Sequence, residues 1–559
     1  LEPLVLRVLT SRGLLDSAAI SAFFEPALRD LHDPSLLPGV DRAAQRLLHA
    51  ARHQEPIVIY ADYDVDGITA AAILFHTLRA LVPGCAVRTY VPHRLDEGYG
   101  LNDAAIAALG SGGARVIVSV DCGITALAPA RVARALALDL LITDHHALPA
   151  GDLPDAYALV HPRLPGSRYP FADLCGAGVA FKLAWRLATL ASGSARADDH
   201  TRAVLLDNLA LAAMGTVADI VPLVGENRVI AYHGLRRVPT TAIAGLGALI
   251  DASRLAGERM DAEKVGFILA PRLNACGRMG HAKEAIELLT TATGPRAAEL
   301  ARQLTRLNED RQRTERAIAA QAEALALEHA MTGADRRAIV LAHDDWHPGV
   351  VGICCSRLVA LFHRPTILMR RENARCHGSA RSIDAFNLHH ALSRCADLLD
   401  RFGGHEMAAG LSLPVANLAE FTDRFTAIAA ESITDDDLVP TLRYDCEASL
   451  DELTEPAVRQ LDRLGPFGRS NPAPRLLVRS LRVTRRPEPF GRNAQHLSVF
   501  AEHKGRPMRL IGWNWRDRAD AIHSGATIDA LIEPKITEWN ARRTVEPVLS
   551  DISINPAPR

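Results

Sequence analysis

Residues 57–67 read IVIYADYDVDG, in which an apolar run leads into carboxylates at positions 62, 64 and 66. The apolar run predicts a buried strand over 57–60, and side chains at alternate positions of an extended chain point to one face. Three carboxylates on one face repel one another unless a cation lies among them, and divalent cations with oxygen ligands commonly fill that role. This stretch therefore predicts a metal site at the end of a strand in an α/β sheet.

Two later segments repeat the arrangement of an apolar run followed by an acid or a histidine. Residues 116–123 read VIVSVDCG, and residues 140–146 read LLITDHH. Open α/β sheets build their sites at the carboxyl ends of such strands. The central candidate ligands are therefore Asp64, Asp66, Asp121 and His145.

A further acid, Asp219, ends the sequence GTVAD at 215–219, directly after a helix predicted over 203–214. The alternative for all these acids is that they cap helices and form turns, as aspartate often does. Three such motifs at successive strand ends, together with a pair of histidines, favour metal binding. Mixed carboxylate and imidazole ligation favours Mn²⁺, with Mg²⁺ as the second candidate.

The pattern along the chain predicts several domains. Strands and helices alternate over about 55–160, which is typical of a parallel sheet with helical crossovers. A second α/β pattern and a series of short strands that predicts a small β-barrel follow later in the chain. The expected organisation is a helical segment at 1–50 packed on the first α/β domain, that domain at 51–294, a long connecting helix at 295–332, a second α/β domain at 333–434 and a barrel at 440–559.

Composition limits the classes of protein. Of the 559 residues, 48% are apolar and 23% are charged, and no apolar run approaches the roughly 20 residues of a membrane span. Nine cysteines without a regular framework predict a reducing, cytoplasmic setting. The net charge of −2 argues against simple electrostatic binding of nucleic acid, yet residues 463–518 carry 13 basic against 3 acidic side chains.

The motifs together resemble those of a known family. DYDVDG at 62–67, DCG at 121–123, DHH at 144–146 and GTVAD at 215–219 occur in the order of the DHH phosphoesterase superfamily. The sequence GGHEMAAG, which begins at Gly403, resembles the glycine-rich motif of the associated second domain of that superfamily. With PRLNACGR, which begins at Pro271, and a C-terminal barrel of the oligonucleotide-binding (OB) type, about 10–555 resembles the bacterial exonucleases that degrade single-stranded DNA from the 5′ end.

The resemblance implies roles for the ligand candidates. One divalent cation is expected on Asp64 and Asp121, with Asp62 as a possible third ligand. A second cation is expected on Asp66, Asp121, His145 and Asp219, with Asp121 bridging the two.

The remaining two residues of the DHH motif are given catalytic roles. His146 is expected to point away from His145 in an extended segment, so we assign it to the scissile phosphate. Asp144 is expected to orient a histidine by a hydrogen bond. The alternative for His146 is a histidine that only packs.

The resemblance also implies sites for DNA phosphates. Gly403, Gly404 and His405 are expected to bring backbone N–H groups close to a phosphate. Arginine binds two phosphate oxygens at once. Arg94, Ser379 and Arg381 match the family's 5′-phosphate pocket, and Arg272 and Arg278 are expected to contact backbone phosphates. The alternatives are a plain turn for the glycines and solvent-exposed surface positions for the arginines.

The C-terminal barrel combines positive charge with aromatic rings. Basic groups and aromatic side chains together fit a domain that holds single strands by charge and stacking; the alternative for each ring is a place in the barrel core. The candidate rings are Phe467, Phe490, Phe500, Trp513 and Trp515. Because residues 463–518 lie far in sequence from every ligand candidate, we expect this domain to contribute binding and not chemistry.

The expected activity is 5′→3′ exonucleolytic hydrolysis of single-stranded DNA with two divalent cations, releasing 5′-mononucleotides in DNA recombination and repair. The family implies single-strand-binding protein and a recombination helicase as partners, and we expect a monomer that does not bind membranes. The first alternative is a DHH-family phosphodiesterase acting on oligoribonucleotides or cyclic dinucleotides, but such relatives lack the barrel and the long helix. A pyrophosphatase is weaker still. A catalytically inactive DNA-binding scaffold would be expected to lose ligands, and all of them are present here.

Overall fold

The computed structural model describes residues 1–94, 96–194, 196–333, 335–539 and 542–555. The chain forms two compact units. The first contains Leu1–Pro92, Tyr99–Ala270 and the C-terminal part from Leu442, and the second contains His93–Gly98 and Pro271–Thr441.

A five-stranded parallel sheet lies at the centre of the first unit, in the order β2-β1-β3-β4-β5. Strands β1 and β3 are buried along their whole length because their apolar side chains are covered on both faces. This confirms the predicted parallel sheet. Its strands are β1 (Ile57–Ala61), β2 (Val87–Tyr90), β3 (Val116–Val120), β4 (Asp139–Thr143) and β5 (Ala158–Val160).

Helices such as α4 and α7 pack on this sheet, and the ends of two helices approach the carboxyl ends of the strands. A π-helical segment, Val265–Leu269, follows the last of them. The helices are α1 (Pro3–Ser11), α2 (Ser17–Phe24), α3 (Val40–Arg52), α4 (Val65–Leu81), α5 (Asp103–Ser111), α6 (Leu127–Ala135), α7 (Gly176–Ser192), α8 (Asp199–Ala218), α9 (Gly225–Arg237), α10 (Ala244–Ala252) and α11 (Ala262–Lys264). None of the helices in the described part of the chain is both long and apolar enough to cross a membrane.

The expectation that the carboxylates of 62–67 share one face of an extended strand is wrong. Strand β1 ends at Ala61, and helix α4 begins at Val65 instead of position 68. The Asp64 carboxylate accepts hydrogen bonds from the N–H groups of Asp66 (2.9 Å) and Gly67 (3.2 Å) and so caps the helix. The acids therefore lie on a strand end, a helix cap and a first helical turn.

The second unit holds a mixed five-stranded sheet in the order β6-β7-β8-β10-β9, in which only β6 and β7 are parallel. Its strands are β6 (Ile339–His343), β7 (Thr366–Glu372), β8 (Arg375–Arg381), β9 (Arg401–Gly404) and β10 (Ala408–Pro414). Its helices are α12 (Ala270–Met279), α13 (Lys283–Thr290), α14 (Gly294–Glu328), α15 (Val351–Phe362), α16 (Leu388–Ser393) and α17 (Leu418–Ser432). The 35 residues of α14 form the predicted long helix.

The C-terminal strands close into a barrel. They form a sheet in the order β11-β12-β16-β19-β15-β14-β13, and an additional pairing between β12 and β14 completes the closure. This confirms the predicted OB-type barrel. The elements are β11 (Cys446–Glu447), α18 (Glu455–Asp462), β12 (Leu476–Val483), β13 (Glu488–Phe490), β14 (His496–His503), β15 (Arg506–Gly512), β16 (Thr527–Glu533), β17 (Ile536–Trp539), β18 (Arg542–Val545) and β19 (Val548–Asn555).

The N-terminal segment is divided between two partners, which corrects the expectation that residues 1–50 pack on the first α/β domain. Helix α3 does pack on α7 beside the parallel sheet. Helix α1, in contrast, buries Leu4, Val5 and Leu9 in the core of the barrel. Arg12 reinforces this contact through a paired hydrogen bond to Asp445, at 2.7 and 3.0 Å.

A buried ion pair ties the N-terminal segment to helices α7 and α9. Lys182 and Glu226 are at most 1% exposed, and their charged atoms lie 2.5 Å apart. Glu226 also accepts hydrogen bonds from the Tyr169 hydroxyl and from the backbone N–H of His32, whose carbonyl oxygen accepts from Lys182. Because every partner is satisfied, the pair holds α7 in a defined position.

We predict that Glu226→Gln lowers the free energy of unfolding by about 3–5 kcal/mol, because it leaves the buried Lys182 ammonium without a carboxylate. Urea denaturation followed by circular dichroism measures this loss. The double variant Lys182→Met/Glu226→Gln should recover part of the stability, and Glu258→Gln, at an exposed acid, serves as the control. A single Glu226→Gln variant as stable as wild type would contradict the assignment.

Candidate active site

Asp66 is held by the N-terminus of helix α7. Its two carboxylate oxygens accept hydrogen bonds from the N–H groups of Gly176 (2.6 Å) and Ala177 (2.8 Å). The first N–H groups of a helix have no partner within it and favour negative charge. A Cβ atom at Gly215 would lie 2.4 Å from Asp66 Oδ1, so helix α8 can approach this carboxylate only because position 215 is glycine.

Asp121 lies at the end of β3 in a left-handed backbone conformation, with a φ of 62°. Asparagine and aspartate adopt this conformation more readily than other residues with a side chain. A Cβ atom at Gly176 would lie 2.5 Å from Asp121 Oδ1, so helix α7 closes over this carboxylate as well. Asp62, Asp64 and Asp121 offer oxygens that lie within 4.8 Å of one another.

His145 faces three carboxylates with one ring nitrogen. Its Nε2 atom lies 3.1 Å from Asp121 Oδ1, 3.6 Å from Asp219 Oδ2 and 3.8 Å from Asp66 Oδ2. Asp219 is delivered by the C-terminal end of α8. The structure thus brings together all the residues that were proposed as ligands of the second cation.

The electrostatics of this cluster fit divalent cations. Burial and the neighbouring carboxylates raise the pKa of Asp121 well above its ordinary value and that of Asp219 to about 8, and burial lowers the pKa of His145 to about 4. Asp121 Oδ1 and His145 Nε2 are buried without a hydrogen-bond partner among the described residues. Acceptor atoms in this state are suited to metal ligation, and the mixed oxygen and nitrogen set suits Mn²⁺ or Mg²⁺.

Asp144 and His146 form a separate pair beside the cluster. Asp144 Oδ1 accepts from the His146 ring at 2.7 Å, and Asp144 Oδ2 accepts from the Ile124 N–H at 2.9 Å. Although burial opposes both changes, the pairing lowers the pKa of Asp144 to about 2 and raises that of His146 to about 9. The hydrogen bond to Asp144 therefore favours the protonated form of the His146 imidazole.

The expectation that His146 points away from His145 is wrong. The two ring centroids lie only 4.5 Å apart, because β4 has already ended at Thr143 and the following residues are not a regular strand. Tyr99 stands on the other side of His146, with its hydroxyl oxygen 3.3 Å from His146 Nε2. His146 consequently lies beside His145 at the edge of the ligand cluster.

A second group of candidates lies within the second unit. Ser379 and Arg381 are on β8, and a Cβ atom at Gly352 in α15 would lie 3.2 Å from Ser379 Oγ and 3.5 Å from Arg381 Nη2. Burial, together with the nearby charge of Arg94, lowers the pKa of Arg381. Two arginines and a hydroxyl group beside the first turn of a helix form a suitable pocket for a terminal phosphate.

The glycine-rich motif lies on the same sheet as this pocket. Gly403 and Gly404 end β9, where strand pairing was not expected, and Gly403, Gly410 and Ser379 are in register across three neighbouring strands. Gly404 has a φ of 139°, and a Cβ atom there would lie 2.3 Å from the Ala408 carbonyl oxygen. The exposed His405 follows, with its N–H bonded to the same oxygen at 2.8 Å.

The two arginines of the PRLNACGR motif both lie on α12, which spans Ala270–Met279. Arg278 donates to the Gly349 carbonyl oxygen at 3.3 Å, and burial lowers the pKa of Arg272. They therefore belong to the second unit, as Arg94 does.

The aromatic rings of the barrel divide into core and surface positions. Trp515 is only 9% exposed, and Phe467 packs against the barrel core, as the alternative for single rings anticipated. Trp513 is 50% exposed and touches His496 and Phe490, with centroid distances of 4.6 and 5.7 Å. We call Phe490, His496 and Trp513 the aromatic patch. Arg485 covers Phe500, with its guanidinium 3.5 Å from the ring centroid.

Several site residues had no signal in the sequence. Gly176 and Ala177 donate to the Asp66 carboxylate but lie in a helix whose sequence looks like an ordinary packing segment. Tyr99 lies in a loop between β2 and α5, remote from the DHH motif in sequence. A helix that opens with GAG could have indicated a close approach, since glycine at a helix start permits contact with a ligand or another chain segment.

Three family models match successive parts of the chain. The DHH family N-terminal domain matches residues 56–216, the DHHA1 domain matches residues 335–431 and the RecJ OB domain matches residues 444–551. The order of the three matches is that of the predicted domains.

Curated relatives match over nearly the whole chain. The single-stranded-DNA-specific exonuclease RecJ of Bacillus subtilis is 38% identical over 99% of this chain and 68% of its own length. The protein of the same name from Salmonella typhimurium is 33% identical over 99% of this chain and 96% of its own length.

Solved structures agree with these relatives. RecJ of Thermus thermophilus in complex with Mn²⁺ is 30% identical, with a TM-score of 0.83 over 100% of this chain and 76% of the other. The complex of RecJ from the same organism with Mg²⁺ has a TM-score of 0.76 at 29% identity, over 100% of this chain and 75% of the other. On this evidence, the chain belongs to the RecJ family of DHH phosphoesterases.

Proposed function

We propose that this chain is a metal-dependent exonuclease that degrades single-stranded DNA from the 5′ end and releases 5′-mononucleotides, in DNA recombination and repair. The observation that carries the proposal is the convergence of His145 Nε2 with the carboxylates of Asp66, Asp121 and Asp219, in a chain that also contains the RecJ OB domain. That domain argues against the alternative of an oligoribonucleotide or cyclic-dinucleotide phosphodiesterase.

The ligand cluster would hold two divalent cations, Mn²⁺ or Mg²⁺. Asp62, Asp64 and Asp121 would hold one, and Asp66, His145 and Asp219 the other, with Asp121 in contact with both groups. When bound, such a pair of cations activates a water molecule and stabilises the attacking and leaving oxygens of an in-line phosphoryl displacement.

The side chains around the cluster position the substrate. The positively charged His146 ring donates a hydrogen bond to an oxygen of the scissile phosphate, and Asp144 holds the ring in place through Nδ1. In the second unit, Arg94, Ser379 and Arg381 bind the 5′-terminal phosphate, and Gly403, Gly404 and His405 form a neighbouring phosphate site to which His405 presents its ring. Arg272 and Arg278 bind phosphates farther along the strand.

The setting of the enzyme follows the same proposal. The nine cysteines are free thiols, and eight of them are buried, which supports a reducing cytoplasm. We propose a monomer that works with single-strand-binding protein and a recombination helicase. Light scattering of the purified protein measures its mass.

A direct assay tests the activity. Single-stranded and duplex DNA, labelled at either the 5′ or the 3′ end, are incubated with the full chain in Mn²⁺ or in EDTA. The proposal requires labelled mononucleotide to appear first from the 5′ label, on single strands only, and not in EDTA. Cleavage of cyclic dinucleotides in preference to DNA would favour the alternative phosphodiesterase.

We predict that Asp121→Asn lowers hydrolysis by at least about a thousandfold, because the ligand shared by both groups loses its charge. Asparagine tolerates the left-handed backbone, so the fold should remain. Since one repelling charge is removed, the melting temperature in EDTA should equal or exceed that of wild type, and Mn²⁺ should raise it less. Asp103→Asn, at an exposed acid, is the control. Wild-type turnover of Asp121→Asn at saturating Mn²⁺ would refute the assignment.

We predict that Arg381→Ala removes the preference for a 5′-phosphate. A charge-assisted hydrogen bond contributes about 1.5–3 kcal/mol, so kcat/KM on 5′-phosphorylated single strands should fall about 10- to 100-fold, and that on 5′-hydroxyl strands much less. Arg375→Ala is the matched control, because Arg375 begins the same strand and is exposed. If Arg381→Ala keeps the wild-type ratio between the two substrates, the 5′-phosphate is bound elsewhere.

We predict that Trp513→Ala weakens binding of long single strands about 5- to 100-fold, since one stacked base contributes about 1–3 kcal/mol. Fluorescence anisotropy with a catalytically inactive background measures the affinity. Tyr444→Ala is the control, because Tyr444 is 45% exposed and lies outside the aromatic patch. Equal affinities of Trp513→Ala and Tyr444→Ala would show that the patch does not bind DNA.

A further inference from the structure

A tight turn before β12 has a fixed conformation. Gly468 and Asn471 exchange backbone hydrogen bonds of 2.9 and 3.1 Å, and the buried Asn471 side chain donates to the carbonyl oxygens of Leu464 (3.0 Å) and Pro466 (2.9 Å). Arg469 lies at the tip of this turn. The segment 464–471, which we call the barrel turn, thus presents Arg469 from a rigid support.

The barrel turn is fastened to the loop that follows Asp219. The N–H of Leu223 donates to the Arg469 carbonyl oxygen at 2.8 Å. A Cβ atom at Gly468 would lie 2.7 Å from Leu223 Cδ1, so glycine leaves room for the close packing of these two segments. Only three residues separate Leu223 from Asp219, and the backbone of Arg469 is therefore close to the ligand cluster.

Helix α9 adds a second attachment. The buried Arg228 guanidinium donates to the carbonyl oxygens of Leu464 at 2.9 Å and Gly465 at 3.1 Å. Because α9 begins directly after the same loop, the C-terminal part of that loop is held against the barrel turn at two points. The barrel turn is far from the proposed metal ligands in sequence, but the fold brings it next to the loop that follows Asp219.

The side chain of Arg469 is exposed and makes neither a hydrogen bond nor an ion pair with any described residue. Many arginines of the barrel differ in this respect, because they pair with carboxylates. Examples are Arg475 with Glu533, Arg479 with Glu447, Arg482 with Glu502, Arg509 with Glu546 and Arg518 with Asp551.

We propose that Arg469 binds a phosphate of the DNA strand beside the group formed by Asp66, His145 and Asp219, so that the barrel completes the phosphate-binding surface of the catalytic centre. This rests on the proposed nuclease function. An exposed guanidinium that is not paired with a carboxylate has free donors for an anionic group. Cations on the carboxylates would offset the charge of Asp219 and leave the charge of Arg469 for a phosphodiester.

Substitution of Arg469 in the full chain tests the proposal. At saturating Mn²⁺, Arg469→Gln should lower kcat/KM on short 5′-phosphorylated single strands about tenfold or more, and Arg469→Lys should retain part of the rate because it keeps the charge. Arg202→Gln is the matched control. Arg202 is an exposed arginine near the other end of α8, about 25 Å from Asp219 at 1.5 Å per residue.

A scan with neutral linkages separates phosphate binding from a structural role. Single methylphosphonate linkages are placed one at a time near the 5′ end. At the position that Arg469 contacts, the neutral linkage should lower the activity of the wild-type enzyme. The same linkage should not lower the activity of Arg469→Gln any further, because that variant has already lost the contact. The melting temperature in EDTA and its increase with Mn²⁺ should remain those of wild type.

The outcomes distinguish the role of Arg469 from the proposed nuclease function. An unchanged kcat/KM for Arg469→Gln, or an equal additional loss at every neutral linkage, would overturn the assignment, as would a changed response of the melting temperature to Mn²⁺. Failure of the wild-type enzyme itself to cut single strands would instead overturn the proposed function.

Discussion

The mutual repulsion of buried carboxylates is the constraint on which the catalytic unit depends. Asp66 and Asp121 are at most 2% exposed and lie around a single imidazole nitrogen, so the fold must supply positive potential close to them. Backbone N–H groups provide it: the first turn of α7 donates to Asp66, and the first turn of α4 donates to Asp64. Glycines at 176 and 215 allow the helices to come this close. Divalent cations would offset the remaining negative charge of the carboxylates.

The protein uses three different means of binding an anionic strand. Carboxylates and an imidazole collect cations at the end of a parallel sheet. In the proposed function, arginines and glycine-rich backbone on a mixed sheet would bind phosphates, and Ser379 and Gly403 are in register two strands apart on that sheet. Exposed aromatic rings on the barrel offer faces for bases. Each means is built on a different kind of sheet, and each depends on a separate set of local contacts.

Distant parts of the sequence combine in the first unit. Helix α1 completes the barrel core with Leu4 and Leu9, and α9 anchors the barrel turn through Arg228. The loop between α8 and α9 joins a ligand carboxylate to this junction. A hydrogen bond therefore links the barrel to the loop that follows Asp219, although the sequence between Asp219 and Arg469 contains most of the second unit.

The sequence by itself determined the parallel sheet, the long helix α14, the barrel and the identity of the carboxylates and histidines, because strand-end motifs and apolar periodicity are local properties. It failed where a neighbour in space sets the conformation. The carboxylate of Asp64 caps a helix that begins at Val65, so the acids do not share a strand face, and His145 and His146 lie side by side. Only the tertiary structure decided three features: the placement of α1 in the barrel, the N–H groups of Gly176 and Ala177 at Asp66, and the hydrogen bond between Leu223 and Arg469. Each of them is a contact between residues far apart in the chain, which local pattern does not encode.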